Sequence, residues 1–253
     1  MSLKVSLLPA LNIVFLVTAS PAFCGPNAVP VERAVGQDVE PWWKTTLIAQ
    51  YDSKYVFRGV NSLPGSGIAV TELTLRAYDL SLDIWQAFGV RKRFHEIDFT
   101  FAYANEFGPV TFSGGYVNYY TSDDDGLELG YKDTQELFAA ATCKIASSFT
   151  ASLSCNSDID KINGSYLELS LVDSITVVYD RVTLEPYASM SYDFHYNSTA
   201  RGWNNFEIGL RAPIKLGEHL SVAGFASLSI PLHGTANIAK KEGWGGFRVA
   251  FKF

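Results

Sequence analysis

Asp52, Lys54, Arg58, Glu72, Arg76, Asp83, Asp98, Glu136, Lys144, Glu168, Glu207, Arg211, Arg248 and Lys252 share one setting. Each stands in a run where apolar residues alternate with polar ones. Read with a period of two, these charges fall on the wet face of successive strands, opposite an apolar face. Enclosed together, such charges have two chemical uses. They line an aqueous path and set what passes through it, as charged rings do in pores. Alternatively they pair across the interior as a salt-bridged plug that conducts little. A single charge enclosed without water or a partner would cost more than a fold can spare.

Other residue types invite a different chemistry. His195 follows Asp193 by two positions and precedes Ser198 by three, a grouping that raises nucleophilic catalysis. No nucleophile elbow or paired acidic motif accompanies it, and the expectation is that the chain is not an enzyme and has no catalytic residue. His95 and His233 fall in the same class of connection, and His219 falls in a short turn. Asp123-Asp124-Asp125-Gly126 hints at a calcium loop, but Thr121 and Lys132 stand where ligands would be needed, so no metal is expected. Cys143 and Cys155 follow the apolar phase of neighbouring strands. A turn centred on Phe149 would set them opposite each other for a disulfide; otherwise they are two free thiols.

The elements that must hold these residues read as strands almost throughout. Leu47, Ala49, Tyr51, Tyr55 and Phe57 form the apolar face of the first, with Gln50, Asp52, Lys54 and Arg58 behind. Ala69, Leu73, Leu75 and Ala77 oppose Glu72, Thr74 and Arg76 in the second. Leu80, Leu82 and Ile84 oppose Ser81 and Asp83 in the third, and Ile97, Phe99, Phe101 and Tyr103 oppose Asp98 and Thr100 in the fourth. Further runs near 108–120, 133–146, 149–156, 164–172, 183–195, 203–214, 219–231 and the C-terminus predict about 12 strands. Residues 173–182 fit poorly, either as a thirteenth strand or as an extension of a neighbour. Short turns at Tyr78-Asp79, Phe107-Gly108-Pro109, Ser147-Ser148 and Gly217-Glu218-His219 alternate with longer polar loops, the segregation expected of a membrane barrel.

Both ends of the chain agree with that reading. Phe247, Val249, Phe251 and Phe253 alternate to the last residue, a greasy edge that a closed barrel would pair with its first strand. The same four positions resemble the C-terminal assembly signal of bacterial outer-membrane barrels. Lys4, the apolar run to Val17 and the small residues Ala19, Ser20 and Ala22 have the layout of a secretory signal peptide, with cleavage after Ala22 or, second, after Ala19. The predicted organisation is signal peptide 1–22, flexible periplasmic leader 23–42, and barrel 43–253. Net charge is −6, which argues against a nucleic-acid partner. Trp42, Trp43, Trp203 and Trp244 lie near strand ends, where two aromatic girdles are expected.

Ser53-Lys54-Tyr55-Val56-Phe57-Arg58-Gly59-Val60 resembles the N-terminal motif of the TorF-like porin family, and Glu96-Ile97-Asp98 is similar to that group's acidic alternation. The chain departs from the pattern in lacking a Gly-rich second strand and a His there. The resemblance covers the first strands and the last, and implies a porin-like role. The combined expectation is an all-β, transmembrane, antiparallel up-and-down β-barrel in the outer membrane of a Gram-negative bacterium. It would pass small polar solutes or ions without a cofactor. Its partners would be outer-membrane lipid, lipopolysaccharide and the barrel-assembly machinery. The alternatives are a non-conducting structural or surface-binding barrel and, further off, a lipid-modifying enzyme.

Overall fold

The computed structural model describes residues 42–123, 133–178 and 181–253. The expected signal peptide, nearly all of the leader and the acidic tip Asp124-Asp125-Gly126 lie outside these residues. In chain order the strands are β1 (Trp43–Asp52), β2 (Val56–Phe57), β3 (Val60–Asn61), β4 (Ile68–Ala77), β5 (Leu80–Gly89), β6 (Phe94–Phe107), β7 (Val110–Asp123) and β8 (Asp133–Lys144). They continue with β9 (Phe149–Asp158), β10 (Ser165–Asp173), β11 (Ile175–Val178), β12 (Val182–Phe194), β13 (Arg201–Lys215), β14 (Leu220–Pro231) and β15 (Glu242–Lys252).

All of these except β2, β3 and β11 form one closed antiparallel ring of twelve strands, in which sequence neighbours pair and β1 pairs with β15. At that seam Leu47 faces Phe251 and Ala49 faces Val249. Phe253 and Thr45 exchange both backbone hydrogen bonds, at 2.9 and 3.1 Å. Closure thus satisfies the terminal edge that the aromatic ending leaves bare. The ring strands run from 9 residues in β10 to 15 in β13, lengths that cross a bilayer when tilted.

The side-chain distribution is that of a soluble protein turned inside out. Phe101, Leu137, Leu153, Leu169, Leu210 and Phe247 are exposed on the outer wall, whereas Glu72, Asp83, Asp98, Glu136 and Glu207 are buried. Buried polar and charged side chains outnumber buried apolar ones among the described residues. Water would drive those outer side chains inward, but hydrocarbon does not. Exposed aromatics collect toward both rims: Trp42, Tyr78, Phe107 and Phe253 near the short turns, and Phe88, Tyr120, Phe194 and Trp203 near the loops.

Two expectations are corrected, for Tyr55 with Phe57 and for Trp244, and two that the sequence left open, the cysteines and residues 173–182, are decided. β1 stops at Asp52, so Tyr55 and Phe57 are not on its lipid face. Tyr55 is buried inside, and Phe57 packs against the same interior cluster. Trp244 likewise points inward and is buried, because β15 places it in phase with Gly246 and Arg248 on the wall's wet side. Cys143 and Cys155 are free: the tight turn at Ser147-Ser148 pairs Cys143 with Ala151 and Cys155 with Ala139, four positions apart. The awkward 173–182 stretch is an extension of a neighbour. β11 continues the pairing of β10 with β12 in one register, Val172 with Tyr187 and Ile175 with Leu184, and its four side chains are exposed.

Candidate functional site

The first long connection does not hang outside the ring but turns into it. Its core is the hairpin of β2 and β3, whose turn is Arg58-Gly59 between the paired Phe57 and Val60. Both turn residues are left-handed, Arg58 at φ 48° and Gly59 at φ 81°, as a two-residue hairpin turn with the right twist requires. Glycine takes this conformation freely, whereas arginine is held in it against a cost of about 1 kcal/mol. What offsets that cost lies across the lumen.

The guanidinium of Arg58 donates two hydrogen bonds to Glu136 on β8, Nη1 to Oε1 and Nη2 to Oε2, each at 2.7 Å. The Glu136 side chain has no solvent exposure and that of Arg58 only 9 %. A fork of two parallel charge-assisted bonds is the strongest ordinary polar contact available to a side chain pair. Aromatic rings complete the socket, with the guanidinium carbon 4.1 Å from the Tyr196 ring centroid, 4.7 Å from Phe57 and 5.1 Å from Tyr166. Tyr119 donates to Glu136 at 2.9 Å, and the Tyr196 hydroxyl donates to its other oxygen. Burial works against the charge on Arg58, but Glu136 outweighs it and holds the guanidinium above its ordinary pKa.

The rest of the hairpin is tied to the wall on several sides. Asn204 and Asn197 donate side-chain amides to the Arg58 carbonyl at 2.7 and 3.1 Å. A shift of register between β12 and β13 sets Met190 against Phe206 but Tyr192 against Trp203, so one residue is extra and Asn204 and Asn205 are both buried. Bulges of this kind re-aim side chains at functional sites. Toward β6, the Tyr55 hydroxyl donates to Glu96 at 2.5 Å, and its ring lies 5.4 Å from Phe94 and 6.3 Å from Trp85. Lys54 pairs with Glu242 on β15 at 2.5 Å. The hairpin therefore crosses the lumen and is anchored on β6, β8, β13 and β15, which makes it a constriction near the long-loop rim.

The other charges singled out from the sequence lie along the same interior. Asp52, Glu72, Asp83, Asp98 and Glu207 are buried, and Arg76, Glu168, Arg211 and Arg248 are half-buried. Arg211 lies 3.4 Å from Glu185, and Thr74 donates to Asp83 at 2.5 Å. Lys144 and Lys252 stand at the short-turn rim, the first exposed and the second half-buried. Lys54 and Arg58 come to the interior by the hairpin rather than by the face of a wall strand. Residues the alternation did not single out include Glu185, Tyr166, Tyr196, Asn197, Asn204 and Asn205. For the last two a signal was present: two adjacent polar residues between Trp203 and Phe206 interrupt the period of two.

The His195 grouping is not a catalytic arrangement. Its Nδ1 meets the Thr199 carbonyl at 2.8 Å and its Nε2 accepts from Arg201 at 2.9 Å. Asp193 accepts from the backbone N–H groups of Tyr196 and Asn197, and Ser198 accepts from Ala200. These contacts cap a loop. Among the described residues no group of three His, Cys, Asp or Glu side chains is placed to hold a metal ion.

The fold and this interior define a twelve-strand barrel of the kind built for membranes, wet within and apolar without. Comparison with solved structures gives the same class. The chain is similar to the KdgM porin over 82 % of its length and 99 % of that chain, with a TM-score of 0.58 and 8 % identity. A KdgM porin in complex with disordered oligogalacturonate matches at a TM-score of 0.55 and 8 % identity, over 82 % of this chain and 98 % of that one. An outer-membrane channel from Pseudomonas putida F1 matches at 0.53 and 10 % identity, over 88 % of this chain and 100 % of the other. No protein-family model and no curated protein matches the sequence.

Proposed function

We propose that this chain is a porin-like channel of the outer membrane of a Gram-negative bacterium. It passes small polar solutes or ions passively, with the β2–β3 hairpin as its constriction and the inward-facing charges as its lining. The observation that carries this reading is the closed ring with a charged interior and an apolar exterior, narrowed by a hairpin anchored through Arg58 and Glu136. The fold shared with KdgM supports it, and small-solute passage is in keeping with the oligogalacturonate held by that porin. No catalysis is assigned, since each candidate triad group is engaged elsewhere.

The same reading includes export by a signal peptide over 1–22 and a leader over 23–42. It also includes recognition of Phe247, Val249, Phe251 and Phe253 by the assembly machinery, and contact with lipid and lipopolysaccharide. Membership in the TorF-like group belongs here too, supported by the Ser53–Val60 segment, which supplies the whole turn of the hairpin. A second reading is favoured by one observation: the hairpin touches so many sides of the lumen that it could serve as a stopper for a structural barrel. Planar-bilayer recording of the refolded mature protein separates the two. Discrete conductance steps establish the channel. A folded barrel that stays silent, with Arg58→Ala also silent, overturns it.

A further inference from the structure

The interior charges are not evenly matched. Ten Asp and Glu side chains are buried among the described residues, whereas no Lys or Arg is. Two of the ten, Asp158 and Asp193, are occupied in capping loops. The inward bases are shared among the rest. Arg58 serves Glu136 and acts on Glu168, Arg211 serves Glu185 and acts on Glu207, Arg248 acts on Asp52 and Glu72, and Arg76 acts on Asp83.

Glu96 and Asp98 fall outside this sharing. They stand two apart on the inner face of β6, beside the hairpin. The charged groups that act on Asp98 are Glu96 and Glu136, both acids. Asp98 is 0 % exposed, and neither carboxylate oxygen has a hydrogen-bond partner. A carboxylate so placed must take either a proton or a positive counter-charge, because burying it ionised and alone is prohibitive. Glu96 spends one oxygen on Tyr55 of the hairpin, which places the acidic pair at the constriction itself. Charge at the narrowest section is what sets ion preference in a pore.

We propose that the channel is selective for small cations, and that Asp98 with Glu96 is the site that attracts them at the constriction. This rests on the channel reading above. Permeant species would be monovalent metal ions and small organic ammonium ions, drawn by the surplus of carboxylates and held briefly at Asp98.

The test is the reversal potential of the full mature protein in a planar bilayer under a potassium chloride gradient. The permeability ratio of K⁺ over Cl⁻ is expected to be about tenfold, the lower range of electrostatic focusing in charged clefts. Asp98→Asn should lower that ratio by about twofold or more, because one fixed charge at the narrow section is gone. Should Asp98→Asn not fold, Arg76→Gln provides the opposite sign and should raise the ratio. A preference for anions, or a cation preference that neither variant moves, overturns this inference and leaves the channel standing. Unchanged selectivity in a folded Asp98→Asn overturns the assignment of the site to Asp98, because a group that already carries a proton attracts no cation. Silence from the folded wild-type barrel and from Arg58→Ala alike overturns the channel reading and this inference with it.

Discussion

The lumen has two unlike halves. Near the long loops it is crowded: a hairpin, the Asn197 and Asn204 amides that hold it, and a carboxylate-rich wall of Glu96, Asp98, Glu136 and Glu168. Near the short turns the inner wall carries small groups such as Ala102, Ser113, Ala140, Ser152 and Ser170, and the bases Arg76 and Arg211 stand beside the acids Asp83 and Glu185. The difference teaches that a barrel wall alone supplies only a coarse tube. Its inner residues are spaced by the strand repeat and cannot close on one another across a twelve-strand ring. Narrowing requires a segment that leaves the wall, and a segment that leaves the wall needs anchors.

Breaking the strongest anchor should therefore have the largest effect. Arg58→Ala leaves Glu136 enclosed beside two tyrosines without its base, and loss of one partner of a buried pair costs about 3–5 kcal/mol. The hairpin should release, and single-channel conductance should rise by about twofold or more as the narrow section opens. The double replacement Arg58→Met with Glu136→Leu removes both charges together and should restore much of the thermal stability lost in Arg58→Ala. If the double variant were as unstable as the single one, the pair would not be the anchor.

Gly59→Ala comes next. A Cβ there would lie 2.6 Å from the Asn205 side-chain carbon, at a φ of +81° that non-glycine residues adopt at a cost of about 1–2 kcal/mol. The hairpin should loosen without loss of any charge, giving noisier conductance with nearly unchanged ion preference. Conductance traces identical to wild type would show that the hairpin does not govern flow.

The uneven placement of charge between the halves has a subtler consequence. An acid-rich half near the long loops and a half near the short turns where acids and bases are matched should make current depend on the sign of the applied voltage, and Arg76→Gln should shift the ratio of currents at opposite voltages. Currents that remain symmetric would mean the two halves act as one. The smallest effect is spectroscopic. Trp203 is exposed on the outer wall and Trp244 is buried inside, so brominated lipid should quench a barrel whose only strand tryptophan is Trp203 and barely affect one retaining Trp244.

Much of this protein is legible in one dimension. Period-two alternation assigns Leu73, Leu75, Leu82, Phe99 and Phe101 to one face and Glu72, Thr74, Asp83 and Asp98 to the other, because the pleat of a strand allows no third choice. Turn residues separate short connections from long ones, and the aromatic ending marks the strand that must be paired. The inward turn after Asp52 was not legible. Lys54-Tyr55-Val56-Phe57-Arg58 keeps the same period of two, and an apolar side chain reads alike whether it faces lipid or wedges into a lumen. Only ring closure decides the outcome, since it brings Glu136 to Arg58 across 78 residues and aims the bulged Asn204 at the Arg58 carbonyl. Strand periodicity is a local property of the backbone and is written in neighbouring residues. The constriction is an encounter between distant ones, fixed by the number of strands, their register and a single extra residue in β13.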